Sequence, residues 1–108
     1  MKEIEDAEAV LFATRDGLPV SFEVRFNPGI VERLAALSAM LFSVSRKASD
    51  IVDMGDMNYM EVDMQSGKLF MYRVNDDLFL AILTSPETNV GLVRLLARET
   101  VSKAREIL

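Results

Sequence analysis

The chain has 108 residues, room for one domain and one core and little for an appended module. Seventeen Asp and Glu against twelve Lys and Arg leave a net charge of −5, and the scattered basic residues form no stripe of the kind that neutralises phosphates, which argues against a nucleic-acid partner. With no Cys and no His there is no disulfide, no thiolate metal site and no proton shuttle near neutral pH; with no uncharged run near the roughly 20 residues of a membrane span, a cytoplasmic protein is expected.

Lys2 to Asp6 is an acidic stretch with room only for a short helical stub. Glu8 to Ala13 is a nearly unbroken apolar run, short enough for a strand buried on both faces. Arg15-Asp16-Gly17 supplies a tight turn, and Leu18 to Val24 alternates Val20, Phe22 and Val24 with polar positions, as a wetter second strand does. Asn27-Pro28 opens a helix: Asn27 caps free amides, Pro28 suits the first helical position, and Phe26 staples onto Val31. The helical pattern runs to about Met54, where Gly55 ends it, a length on the order of 40 Å.

Asn58 to Met64 and Lys68 to Val74 alternate as strands around Ser66-Gly67. Asn75-Asp76-Asp77 turns the chain into Leu78 to Leu83, an apolar run suited to the middle of a sheet. After Ser85-Pro86-Glu87, helical spacing of apolar residues runs from Asn89 to Leu108. The order β-β-α-β-β-β-α describes one domain over residues 1–108, an α/β (α+β) sandwich with a mixed sheet. Its two all-apolar strands, the first and fifth, should be neighbours, which puts the strand starting near Asn58 at an edge, a place to pair.

The long helix carries more apolar surface than one packed face requires. At 100° per residue, Leu37, Leu41, Val44, Ala48 and Ile51 form one stripe, and Val31, Ala35, Ser38, Phe42, Ser45 and Ser49 form a second, roughly 110° away. The large aliphatic stripe suits the sheet. The second, mostly small residues around Phe42, would let another helix approach closely, and is assigned to a dimer interface together with Met57 and Tyr59 beside the edge strand. A twofold axis there would extend the sheet and set two long helices side by side. The alternative is that the helix is covered by its own chain. Met57, Met60 and Met64 either add adaptable surface or fill gaps in the core. The remaining arc, Glu32, Arg46, Lys47 and Asp50, is a wet face and the candidate surface for a further partner.

Catalytic chemistry finds no footing. Asp53, Asp56, Glu61 and Asp63 cluster in sequence without the ligand spacing of a calcium loop, so a solvated face is expected and no metal. Asp16, Asp76 and Asp77 are turn residues, and Ser38, Ser43, Ser45 and Ser49 have no base to activate them. No phosphate loop or dinucleotide fingerprint occurs, so no cofactor is expected.

Three segments in order resemble the roadblock/dynein light chain family: Ala9-Val-Leu-Phe-Ala-Thr-Arg-Asp-Gly-Leu-Pro-Val20, Leu34-Ala-Ala-Leu-Ser-Ala-Met-Leu41, and Leu78 to Leu83 followed by Asn89-Val-Gly-Leu-Val-Arg94. The resemblance implies a roadblock/profilin-like fold, a five-stranded antiparallel sheet with the long helix on one face and the last helix and N-terminal stub on the other. It further implies homo- or heterodimers joined through edge strands and long helices, and a non-enzymatic scaffold or regulator of Ras-like small GTPases, stimulating hydrolysis or sensing nucleotide state. A structural light chain of a larger assembly belongs to the same resemblance. A sensor domain with Met and Phe residues around an internal pocket is the reading from another class. The sequence departs from the family at its start, where members usually carry a full helix and this chain has only a stub before Glu8, which puts partner contacts made by that helix in doubt. Gly91 and the amides of the last helix resemble an anion site, but close packing of Gly91 on the sheet is the expected use.

Overall fold

The computed structural model describes residues 7–25 and 27–107; the helical stub at Lys2 to Asp6 and the Phe26 staple fall outside them. Five strands, β1 (Ala7–Thr14), β2 (Pro19–Val24), β3 (Tyr59–Met64), β4 (Gly67–Arg73) and β5 (Leu78–Thr84), and two helices, α1 (Ile30–Val52) and α2 (Val90–Ile107), follow in the expected order. The strands form one sheet in the order β2-β1-β5-β4-β3, with β1 and β5 adjacent and β3 at an edge. Every pairing is antiparallel, so the sheet is not mixed; each neighbour in space runs back against the last, and no helical crossover separates parallel strands.

Alternation along the strands builds two core layers. Leu11, Leu69, Met71, Phe79 and Ala81 meet α1 on one face, while Phe70, Tyr72, Leu80 and Ile82 meet Val93, Ala97 and Val101 of α2 on the other. An irregularity between Ala7 and Ala9 changes the parity of β1, so that Ala7 joins the α2 layer and Ala9 the α1 layer. Helix α1 lies over β1, β2 and β5, which leaves its side of β3 thinly covered.

Local chemistry fixes the ends of α1. The Asn27 Oδ1 accepts from the Gly29 amide at 3.1 Å, and the amides of Ile30 and Val31 reach three residues back, so a tight turn precedes the helix proper. The helix stops at Val52, two residues short of Met54, because Asp53 takes the left-handed conformation (φ 54°) with its amide returning to the Ser49 carbonyl. Gly55 is left-handed too (φ 81°), and the pair turns the chain toward β3. At 23 residues α1 is about 35 Å long. The β1–β2 turn needs Gly17 at φ 88°, and it rests on α1: a Cβ there would lie 3.6 Å from the Ala36 Cα and from the Ala39 Cβ.

Candidate interaction surface

The two stripes of α1 exchange roles. Val31, Ala35, Ser38, Phe42 and Ser45, expected at a dimer interface, are buried under the chain's own sheet, and Ser49 is half-buried beside them. The reason is steric complementarity. The sheet supplies much of the bulk through Leu11, Leu69, Met71 and Phe79, and the small Ala35, Ser38 and Ser45 let the helix lie close to it, with Val31 and Leu34 packed beside them. Phe42 adds bulk to this face, its ring stacked on Phe79 with centroids 6.0 Å apart. Ser45 donates to the Phe42 carbonyl at 2.7 Å and Ser49 to the Ser45 carbonyl at 2.9 Å, which satisfies two hydroxyls inside the helix. The Ser38 hydroxyl is buried with no hydrogen-bond partner.

The large stripe points to solvent. Met40 is 66 %, Val44 62 % and Ile51 84 % exposed, with Leu37 and Ala48 exposed beside them and Leu41 half-buried at the border of the core. This is a continuous apolar band along a surface helix, and it is the side of α1 that the fold leaves uncovered. On the same face of the sheet, Met57, Met60 and Val62 are half-buried against the α1 core, and β3 has no strand on its outer edge among the described residues. Tyr59 faces the other way, stacked on Tyr72 in the α2 layer at 5.5 Å; Met64 is exposed near the end of β3. Of the polar arc, Glu32, Lys47 and Asp50 are exposed and Arg46 is half-buried.

On the opposite face α2 is pinned to β3. The Arg94 guanidinium donates through Nε to one Glu61 oxygen at 2.6 Å and through Nη2 to the other at 2.7 Å, a two-pronged pair. Hydrogen bonding from Arg94 holds the Glu61 carboxyl below its ordinary range against the smaller opposing effect of burial, and the same bond raises Arg94. Glu61 is therefore an anchor rather than one of a set of solvated acids. No group of three or more acidic residues placed to hold a metal occurs among the described residues. The Asn89 Oδ1 accepts from the Leu92 amide at 3.1 Å and caps α2. Gly91, expected to pack tightly on the sheet, is exposed, and an added Cβ would meet only the Asn89 side chain at 3.6 Å, so close packing does not explain it. No helix among the described residues is long and apolar enough to cross a membrane.

Sequence reasoning found the long helix, its two apolar faces and the β3 edge, and it missed the Arg94–Glu61 anchor. The signal was present in the helical spacing of Arg94, Arg98 and Arg105, which puts three guanidiniums along α2. Comparison with known proteins agrees with this architecture. Two proteins of Methanocaldococcus jannaschii, both named only as uncharacterized, are 22 % identical over 107 residues, covering 97 % of this chain and 90 % of theirs. A Roadblock/LC7 domain structure from Streptomyces avermitilis superposes with a TM-score of 0.89 at 23 % identity, over 98 % of this chain and 88 % of that one. MglB of Myxococcus xanthus superposes at 0.86 and 19 % identity, over 94 % of this chain and 82 % of that one. Residues 1–84 match the Roadblock/LC7 domain, and the chain belongs to that family.

Proposed function

We propose that this chain is a cytoplasmic, non-enzymatic regulator or scaffold that forms a homodimer through the exposed stripe of α1 and the free edge of β3, and that the dimer binds a Ras-like small GTPase. The observation that carries the dimer is the band of Leu37, Met40, Val44 and Ile51 left bare by the chain's own sheet. Burying four such side chains from each copy, at roughly 1.5–3 kcal/mol each, is on the scale of the ~4–15 kcal/mol that association costs. The GTPase partner rests on family membership, since no residue of the described chain by itself names a switch region. Phe70, Phe79 and Met71 are packed into the two core layers, whereas Phe12 and Phe22 line a cavity, the feature that bears on the alternative sensor reading.

The test is in two steps. Light scattering across tens of micromolar should give the mass of two chains; a monomer would remove the premise. Titration of the dimer with a Ras-like GTPase from the same genome, loaded with GDP or with a non-hydrolysable GTP analogue, should then show binding that depends on the nucleotide. Equal or absent binding in both states would overturn the regulatory reading.

A further inference from the structure

A second surface lies on the far face of the sheet from the exposed stripe of α1, between β3–β4 and α2. Asn58, Tyr59, Tyr72, Arg98, Ser102 and Arg105 line a cleft of about 330 Å³ there. Its lining holds two guanidiniums and no carboxylate. Tyr72 is only 5 % exposed, and its hydroxyl is buried with no hydrogen-bond partner. An orphaned buried hydroxyl costs free energy unless something else meets it. Burial raises the Tyr72 pKa, so the group stays a protonated donor.

The two arginines stand i, i+7 on α2, on one side of the helix. Arg105 is oriented by the chain itself: Nε donates to the Val74 carbonyl at 2.8 Å and Nη2 to the Arg73 carbonyl at 2.9 Å, which leaves Nη1 to donate elsewhere. Arg98 makes no ion pair among the described residues. Glu61 of β3, paired with Arg94, lies outside the cleft lining but acts electrostatically on both Arg98 and Tyr72. The cleft of this acidic protein is thus lined by two arginines and no carboxylate, with an unpartnered phenol in its wall and the half-exposed ring of Tyr59 at its rim.

We infer that this cleft is a binding site for a small-molecule oxyanion, a carboxylate or phosphate group held by Arg98, Arg105 and the Tyr72 hydroxyl. Planar guanidiniums match the paired oxygens of either group, and the phenol supplies a further donor. A ligand with a flat ring beside its acid group would also meet Tyr59. The site lies on the opposite face of the sheet from the α1 stripe, with Asn58 and Tyr59 at the start of β3, the edge proposed to pair in the dimer.

The experiment is an amide NMR titration of the full chain with sodium phosphate and, separately, sodium benzoate, against sodium chloride at matched ionic strength. Saturable shifts at residues 58, 59, 72, 98, 102 and 105 with one of the two oxyanions, absent with chloride, are expected; which one saturates identifies the anionic group. Arg98→Gln, an exposed change that leaves the core alone, should weaken that binding at least fivefold. Tyr72→Phe should weaken it several-fold while the spectrum remains that of the folded protein. Shifts that only follow ionic strength, or affinities unchanged in both variants, would overturn the site.

Discussion

Ser38 and Phe42 sit four residues apart on the buried face of α1, and each carries a measurable consequence. The Ser38 hydroxyl has been taken from water without a partner, a cost of about 1–3 kcal/mol for a buried polar group left unpaired. Ser38→Ala keeps the small side chain that the close helix–sheet approach requires. We expect it to stabilise the protein by about 1 kcal/mol, seen as a higher urea midpoint at unchanged slope. Phe42 is 4 % exposed against Phe79. Phe42→Ala should cost about 3–5 kcal/mol through the lost contacts and the cavity. Phe42→Asp should fail to fold altogether, where a residue at a subunit interface would have given a folded monomer.

At the scale of elements, most of the fold was legible because strand and helix periods differ and the turns carry Gly, Asn and Asp at the positions that need them. The order of elements, the adjacency of β1 and β5 and the edge position of β3 all followed from which runs were apolar throughout. The orientation of α1 was not legible. Periodicity shows that a helix has two apolar faces, but it does not say which one the sheet takes, because that depends on how much volume the sheet brings to the contact. Leu11, Leu69, Met71 and Phe79 bring enough of it that Ala35, Ser38 and Ser45 win the buried side over Leu37, Val44 and Ile51. The tie between β3 and α2 was hidden for a similar reason, since Glu61 and Arg94 stand 33 residues apart and meet only after the sheet has formed. That tie has a pH signature. Glu61 titrates below its ordinary value of 4.5 in the folded chain, so its contribution is fully present above the unfolded value and is lost as pH falls through the folded one. The gap in thermal midpoint between the native chain and Glu61→Gln should hold constant above about pH 5.5 and close on acidification. A constant gap down to the lowest pH at which both fold would show that the carboxylate's charge is not what stabilises the contact.

For the whole molecule, the exposed α1 band couples assembly to stability. A chain that hides Leu37, Met40, Val44 and Ile51 only by pairing is more stable as a dimer than alone, and mass action then makes its unfolding midpoint depend on concentration. A monomer with these side chains bare would show no such dependence, because unfolding one chain would release nothing from another. Val44→Asp separates the two cases. The residue is exposed, so the charge leaves the chain's own core intact, but in a paired dimer it would be buried against apolar side chains of the second helix without a counter-charge. We expect the thermal midpoint of the native chain to rise steadily between about 1 and 100 μM, in line with linkage to association. That of Val44→Asp should stay flat across the same range, at a value near the native chain's dilute limit, with the mass of one chain by light scattering. A flat midpoint in both proteins would mean that no second copy covers the band, and a partner would then have to be sought among chains of different sequence.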